Sequence, residues 1–339
     1  MTGITGQDGA YLANFLLKKG YKVVGGYRRL STPNFWRLHY LGIYDKVELV
    51  SLDVLDSRSI SEALTYADPK EVYHLAAQSY VAASYVQPLY TGNVTGFGTV
   101  RILEEILKFN NKIKFYQASS SEMFGEDNTK IKNETSEFKP ISPYAVAKLY
   151  SYWMVRLYRK GYGLFASNGI LFNHESPVRG LEFVTRKISN EVAKISLGLS
   201  KSIKLGNLDA KRDWGYAPEY VEGMWKMLQQ KNSDDFVLAT NETHSVGEFV
   251  NEACKVAGIS TSKIKTDKRF LRPMDVQNLR GDYKKANKYL GWKPKTTFKN
   301  LVKIMVEEDI NRWERWLKKE IQPWDAAMSG DDSTRLNSQ

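Results

Sequence analysis

Tyr144 and Lys148 stand four residues apart in SPYAVAKLY. On a helix that spacing puts both side chains on one face. A lysine there keeps positive charge beside the phenol and favours phenolate, and it can also hold a cofactor ribose. Such a tyrosine can take the proton of a secondary alcohol. Upstream, the strand-like run IKFYQA leads into Ser119-Ser120-Ser121-Glu122. A hydroxyl at that strand end, Ser120, can orient the substrate oxygen. The Tyr-x-x-x-Lys spacing alone occurs in many helices; its meaning comes from following this strand and a Gly-rich loop. The group describes hydride transfer at a secondary alcohol. Glu122 adds a second base. Once the alcohol is a ketone, the hydrogen on the adjacent carbon is acidic, and a base can remove it and expel a neighbouring hydroxyl as water. From residue chemistry alone, a glutamate that caps the loop or pairs with a lysine reads equally well.

A hydride needs an acceptor. The opening TGITGQDGAYL carries Gly3, Gly6 and Gly9 in the spacing G-x-x-G-x-x-G, with Thr5, Gln7 and Asp8 between them and a helical pattern at once after. Glycines there let backbone N–H groups approach a pyrophosphate at the positive end of that helix. The next strand ends in Tyr27-Arg28-Arg29, with no acid until Asp45. A carboxylate at that place would hold the ribose hydroxyls of NAD, whereas a guanidinium pairs with a 2′-phosphate. The expected cofactor is therefore NADP; the plain alternative is two solvated arginines. Asp53, followed by Val54, is placed to meet the adenine. Leu75-Ala76-Ala77-Gln78-Ser79 ends a later strand, where small side chains let the cofactor lie close.

These residues need a scaffold. Residues 21–27, 47–52, 71–76 and 113–118 read as buried parallel strands. Helical patterns fall at 9–19, 57–67, 91–109 and 143–160. The alternation predicts an α/β fold, a Rossmann-type doubly wound parallel sheet with a smaller C-terminal α/β substrate domain. The expected division is 1–172 for the cofactor domain, with segments near 213–240 returning to it, 173–324 mainly for the substrate, and 325–339 as a disordered tail. Only Met1 and Thr2 precede Gly3, so the normally central first strand is expected to be truncated or very short.

Composition narrows the class. The chain has 339 residues with a formal charge of +11. Its lysines are scattered without a basic block, which argues against nucleic acid. No apolar run is long enough to span a bilayer, and no signal peptide is apparent. The one cysteine, Cys254, reads as a small core residue and fits a reducing cytoplasm. No His/Cys cluster has metal-ligand spacing, so no metal is expected.

These segments resemble the extended short-chain dehydrogenases, and within them the GDP-mannose 4,6-dehydratase family. The resemblance lies in TGITGQDGAYLA, EVYHLAAQS, FYQASSSEMFG, SPYAVAKLY, NGILFNHESP, VTRKI, RDWG and RPMDVQNLRGD, over roughly residues 2–312. ILFNHESP with VTRK and KRDW is the most specific part. The resemblance implies that Tyr144 deprotonates the hexose 4-hydroxyl, Lys148 tunes it, and Glu122 removes the carbon-5 proton and assists loss of water from carbon 6. Ser120 stands where the family commonly has threonine. Ser79, Tyr90, His174 and Arg179 would join the cofactor site. Ser79, Asn173, Val184, Lys187, Arg212 and Arg272 would hold a GDP-sugar. The family also implies a homo-oligomer, dimer or tetramer, in which the loop of Arg28 and Arg29 reaches a neighbour's cofactor, and a place at the head of GDP-fucose and related deoxyhexose routes. Three neighbouring readings share much of this pattern: a paralogue acting on a GDP-manno-heptose, a GDP-4-keto-6-deoxymannose reductase, and a non-catalytic NADP-binding regulator. Trp313, Trp316 and Trp324 form a C-terminal departure that reads as a helix packing on its own domain or on a partner.

Overall fold

The computed structural model describes residues 1–125, 131–267 and 276–320. Arg272, Trp324 and the tail 325–339 lie outside the described residues.

The strands are β1 (Val24–Tyr27), β2 (Glu48–Ser51), β3 (Glu71–His74), β4 (Lys114–Ser120), β5 (Ala166–Leu171), β6 (Asn173–Glu175), β7 (Ile203–Leu205), β8 (Lys211–Arg212), β9 (Trp214–Tyr216), β10 (Phe236–Leu238), β11 (His244–Ser245), β12 (Ile264–Thr266) and β13 (Asn278–Leu279). The helices are α1 (Gln7–Lys18), α2 (Trp36–Tyr40), α3 (Ser57–Ala67), α4 (Val81–Val86), α5 (Pro88–Thr91), α6 (Gly98–Phe109), α7 (Pro143–Tyr162), α8 (Val184–Ser196), α9 (Ala217–Leu228), α10 (Val246–Val256), α11 (Lys284–Leu290) and α12 (Phe298–Leu317). A π-helical turn, Gly92–Phe97, joins α5 to α6.

The main sheet is parallel, in the order β10-β5-β4-β3 on one side and β1-β2 on the other. Thr2 joins the two halves by bridging Gly26 and His74 in parallel. The first strand of this chain is very short. Gly26 N donates to Met1 O at 2.7 Å and Thr2 N to Tyr73 O at 3.0 Å, so the central position is held by a two-residue stub.

Both faces of the sheet are covered, which is why its strands read as near-continuous apolar runs. On one face Leu12 and Leu16 of α1 pack with Met224 and Leu228 of α9 over Tyr73 and Tyr116. On the other, Ile60 of α3, Ile102 and Ile106 of α6 and Val155 of α7 pack over Val72 and Phe115. Burying each such side chain stabilises the fold by about 1.5–3 kcal/mol. A separate cluster joins Ile188 and Val192 of α8, Phe249 of α10, Val302 and Met305 of α12, and Ile203 and Leu205 of β7. Cys254 is buried there. Trp313 packs on its own chain, donating to Asn190 Oδ1 at 2.9 Å. Among the described residues no helix is long and apolar enough to cross a membrane.

Candidate active site

Two local devices fix the Ser–Tyr–Lys group. Ser142 caps α7 by accepting from Ala145 N at 3.1 Å, and Pro143 opens the first turn. That sets Tyr144 in the first turn and Lys148 one turn on. The strand β4 ends at Ser120, whose Oγ accepts from Glu122 N at 3.2 Å and starts a short 3-10 turn. Ser120, Glu122, Tyr144 and Lys148 all line one cleft of ≈ 1040 Å³. Lys148 Nζ donates to Ala118 O at 2.6 Å and sits 5.8 Å from the centre of the Tyr144 ring. Burial pushes the Tyr144 phenol up to about 12, against the hydrogen bond to Ser120, with Glu122 adding to the rise. Burial also lowers the Lys148 ammonium to about 8, partly opposed by Asp8.

The glycine loop forms the floor of the same cleft, with Gly3, Gly6, Gln7, Asp8 and Gly9 on its lining. Gly3 has φ +71°, and a Cβ there would lie 2.8 Å from Ala76 N. A Cβ on Gly9 would fall 2.2 Å from Gly3 O. The chain therefore turns tightly against β3, and the first turn of α1 faces the cleft with its unpaired N–H groups. This cradle fits a pyrophosphate. Leu75, Ala77 and Ser79 continue the wall, and His174 and Arg179 face it from the other side.

Thr5, Arg28, Arg29, Asp53, Val54, Ala76, Gln78 and Tyr90 do not line the cleft itself. Arg28 and Arg29 follow the end of β1, and Arg28 Nη1 donates to Tyr90 OH at 2.7 Å. Asp53 Oδ1 accepts from Leu55 N at 2.9 Å, which shapes the turn before α3. Thr5 O accepts from Arg37 Nη1 at 3.0 Å. Gln78 N donates to Thr95 Oγ1 at 3.1 Å.

A lock between the first turn of α1 and β6 was not legible in the sequence. His174 Nδ1 lies 2.7 Å from Phe172 O and Nε2 lies 2.8 Å from Asp8 Oδ2. Both partners are acceptors, so the imidazolium is the form that satisfies both nitrogens. Burial disfavours the charge on His174, but Asp8 overcomes it and raises the pKa. Burial likewise pushes Asp8 up, yet His174, with help from Gln7 and Arg179, holds it at about 2. Gln7 donates to His174 O and accepts from Ser176 Oγ at 2.7 Å. Tyr220 stacks on the imidazole with ring centres 4.6 Å apart.

The far end of the cleft is lined by Asn173, Val184, Lys187 and Arg212. Arg212 Nη1 donates to Val276 O at 2.5 Å, and Lys187 Nζ to Lys204 O at 2.8 Å. Buried Glu175 accepts from Thr185 Oγ1 at 2.6 Å and meets Arg179 Nε at 3.3 Å. Glu175 lies inside the ILFNHESP segment, between His174 and Ser176. Among the described residues no group of three or more His, Cys, Asp or Glu could hold a metal ion.

A sequence model of the family described as GDP-mannose 4,6 dehydratase matches residues 1–305. The chain belongs to that family. It is 47% identical over 326 residues to GDP-mannose 4,6 dehydratase 1 of Arabidopsis thaliana, covering 93% of this chain and 90% of the relative. The fold is also that of UDP-glucose 4-epimerase of Thermus thermophilus in complex with NAD, with a TM-score of 0.81, 23% identity, and 91% and 97% of the two chains covered. RMD from Pseudomonas aeruginosa complexed with NADPH matches with a TM-score of 0.76, 21% identity, and 91% and 97% covered. Within a GDP-mannose 4,6-dehydratase fold, the cleft thus carries both the Ser–Tyr–Lys group and a carboxylate, Glu122, at one end of a glycine cradle.

Proposed function

We propose that this protein is a hydro-lyase that converts GDP-mannose to GDP-4-keto-6-deoxymannose and water, with a bound nicotinamide cofactor, NADP, that is regenerated in each cycle. The observation that carries this reading is Glu122 in the same cleft as Ser120, Tyr144 and Lys148. Oxidation or reduction at carbon 4 needs only the last three. Removing a carbon-5 proton needs a further base, and a reductase would have no use for it.

The nicotinamide supplies one thing when bound, a place for hydride between carbon 4 and carbon 6. The protein does the rest. Ser120 orients the 4-hydroxyl and Tyr144 takes its proton, with the Lys148 charge favouring phenolate. Glu122 then removes the proton from carbon 5, made acidic by the new ketone, and assists departure of the carbon-6 hydroxyl as water. Gly3, Gly6 and Gly9 admit the pyrophosphate to the start of α1. Lys187 and Arg212, with Arg272 outside the described residues, would bind the substrate diphosphate. Incubation with GDP-mannose and catalytic NADP, followed by mass spectrometry, tests this. The expected result is loss of one water without net NADPH. Turnover that requires stoichiometric NADPH would instead support the reductase, and reaction only with a GDP-heptose would support the paralogue.

NADP is preferred over NAD because Arg28 and Arg29 stand where an acid would hold a free ribose. A homo-oligomer is proposed from α7. Val146, Tyr150, Trp153 and Leu157 are 54%, 39%, 53% and 50% exposed at a 4-3-4 spacing, the seam of a coiled coil. Phe97 extends the stripe, its ring 5.2 Å from Tyr150. A surface of this kind calls for a partner, and a second copy brings the same seam. The proposed location is the cytoplasm, where buried Cys254 stays reduced.

A further inference from the structure

Behind the catalytic lysine lies a polar cluster that packing alone would not select. Thr95, Thr99, Gln117, Lys148 and Ser151 are 1%, 0%, 1%, 4% and 0% exposed. The elements α6, β4 and α7 that carry most of them also carry buried Ile102, Phe115 and Val155. Buried polar groups in such a setting cost stability unless each finds a partner.

Here the partners form a connected path. Lys148 Nζ and Gln117 Nε2 both donate to Ala118 O, at 2.6 and 3.3 Å. Thr99 Oγ1, with one proton to give, reaches Gln117 Oε1 at 3.3 Å or Ser151 Oγ at 3.1 Å. Ser151 Oγ donates to Thr95 O at 2.7 Å. Thr95 Oγ1 in turn accepts from Gln78 N, in the loop that ends β3. Tyr144, Lys148 and Ser151 follow one another at helical spacing along α7. Thr95 belongs to the π turn Gly92–Phe97. Such turns recur at functional sites.

We infer that Thr95, Thr99, Gln117 and Ser151 are positioning residues for Lys148, and that the π turn is the feature that brings Thr95 within reach of both Ser151 and Gln78. Gln117 and Thr99 fix the carbonyl that anchors the ammonium. Ser151 and Thr95 fix the register of α7 against the helix that carries the turn. Thr95 also ties this assembly to the loop of Leu75–Ser79, so the lysine and the cofactor wall move as one body. This inference rests on the reading of Lys148 as the residue that tunes Tyr144 and holds the cofactor ribose. The charged or titratable groups facing Lys148 are Asp8 from α1, His74 from β3 and Tyr144 on its own helix, and those facing Tyr144 are Glu122 from the turn after β4, Arg179 from the segment after β6, and Asp8. None of them is altered in the test.

The test compares wild type with Ser151→Ala, Thr99→Val and Ser151→Thr, in full-length protein. Thr99→Val keeps the side-chain shape and serves if Ser151→Ala does not fold. For Ser151→Ala and Thr99→Val, kcat is expected to fall about tenfold or more while KM for GDP-mannose changes less than about twofold, since misplacement acts on the chemical step. The acid limb of the kcat profile should move to higher pH, because a displaced Lys148 favours phenolate less. The dissociation constant of NADP should rise about fivefold, the scale of a coupling near 1 kcal/mol. Ser151→Thr, which keeps the hydroxyl, should restore all three. Variants that melt earlier but keep kcat, pH limb and NADP affinity would overturn the inference, as would Ser151→Thr behaving like Ser151→Ala. If the wild type binds NADP but dehydrates nothing, the proposed function fails, and the NADP affinities alone decide for or against this cluster. A wild type that binds neither NADP nor NAD overturns both.

Discussion

Asp8 and His174 meet across 166 residues of chain, at 2.8 Å. Asp8 is held at about 2, below its ordinary 3.8, so its contribution to stability is present above 3.8 and is lost as pH falls through 2. His174 is raised above its ordinary 6.5, so its contribution is full below 6.5 and is lost as pH rises through the folded value. The melting temperature of wild type should therefore exceed that of Asp8→Asn by most between those two ordinary values, and the gap should narrow on either side. Glu122→Gln removes the second base and should lower kcat by about 10²- to 10⁴-fold. Solvent deuterium should then no longer enter carbon 5, while NADP binding stays. Replacing Arg28 and Arg29 by alanine should narrow the preference for NADP over NAD; tighter binding of NAD by the wild type would contradict the cofactor assignment. Tyr144, Lys148, Ser120 and Glu122 could be read together from the start of a helix, its next turn and a strand end, and the structure brings all four to one cleft. It did not show that Gln7 accepts from Ser176, since that pairing depends on how β6 returns over α1.

At the scale of elements, alternation of apolar runs located β1 to β4 and α1, α3 and α7 to within a few residues, because both faces of this sheet are covered and period and length agree. The short central strand was expected, and its position is filled by backbone pairing of Met1 and Thr2. One feature escaped. The π turn inside 88–109 differs from an α-helix by a single wide turn, too little to disturb the apolar spacing of Ile102 and Ile106. The turn into α1 gives a prediction of its own. Gly3→Ala forces a side chain onto positive φ and against Ala76, and should cost about 1–3 kcal/mol of unfolding free energy in a denaturant melt. NADP affinity should fall with it.

For the whole molecule, the charge of +11 is spread, and among the described residues α7 carries an exposed apolar seam. Trp153→Glu should shift the particle mass measured in solution from a multiple of 38.8 kDa toward that value. A wild type that is monomeric at micromolar concentration would contradict the oligomer. The central claim concerns hydride and water together, and GDP-mannose carrying deuterium at carbon 4 tests it most directly. The account predicts a product lighter by one water with the deuterium now on carbon 6 and no accumulation of reduced cofactor. Deuterium lost to free NADPH, or a product that keeps its oxygen at carbon 6, would contradict it.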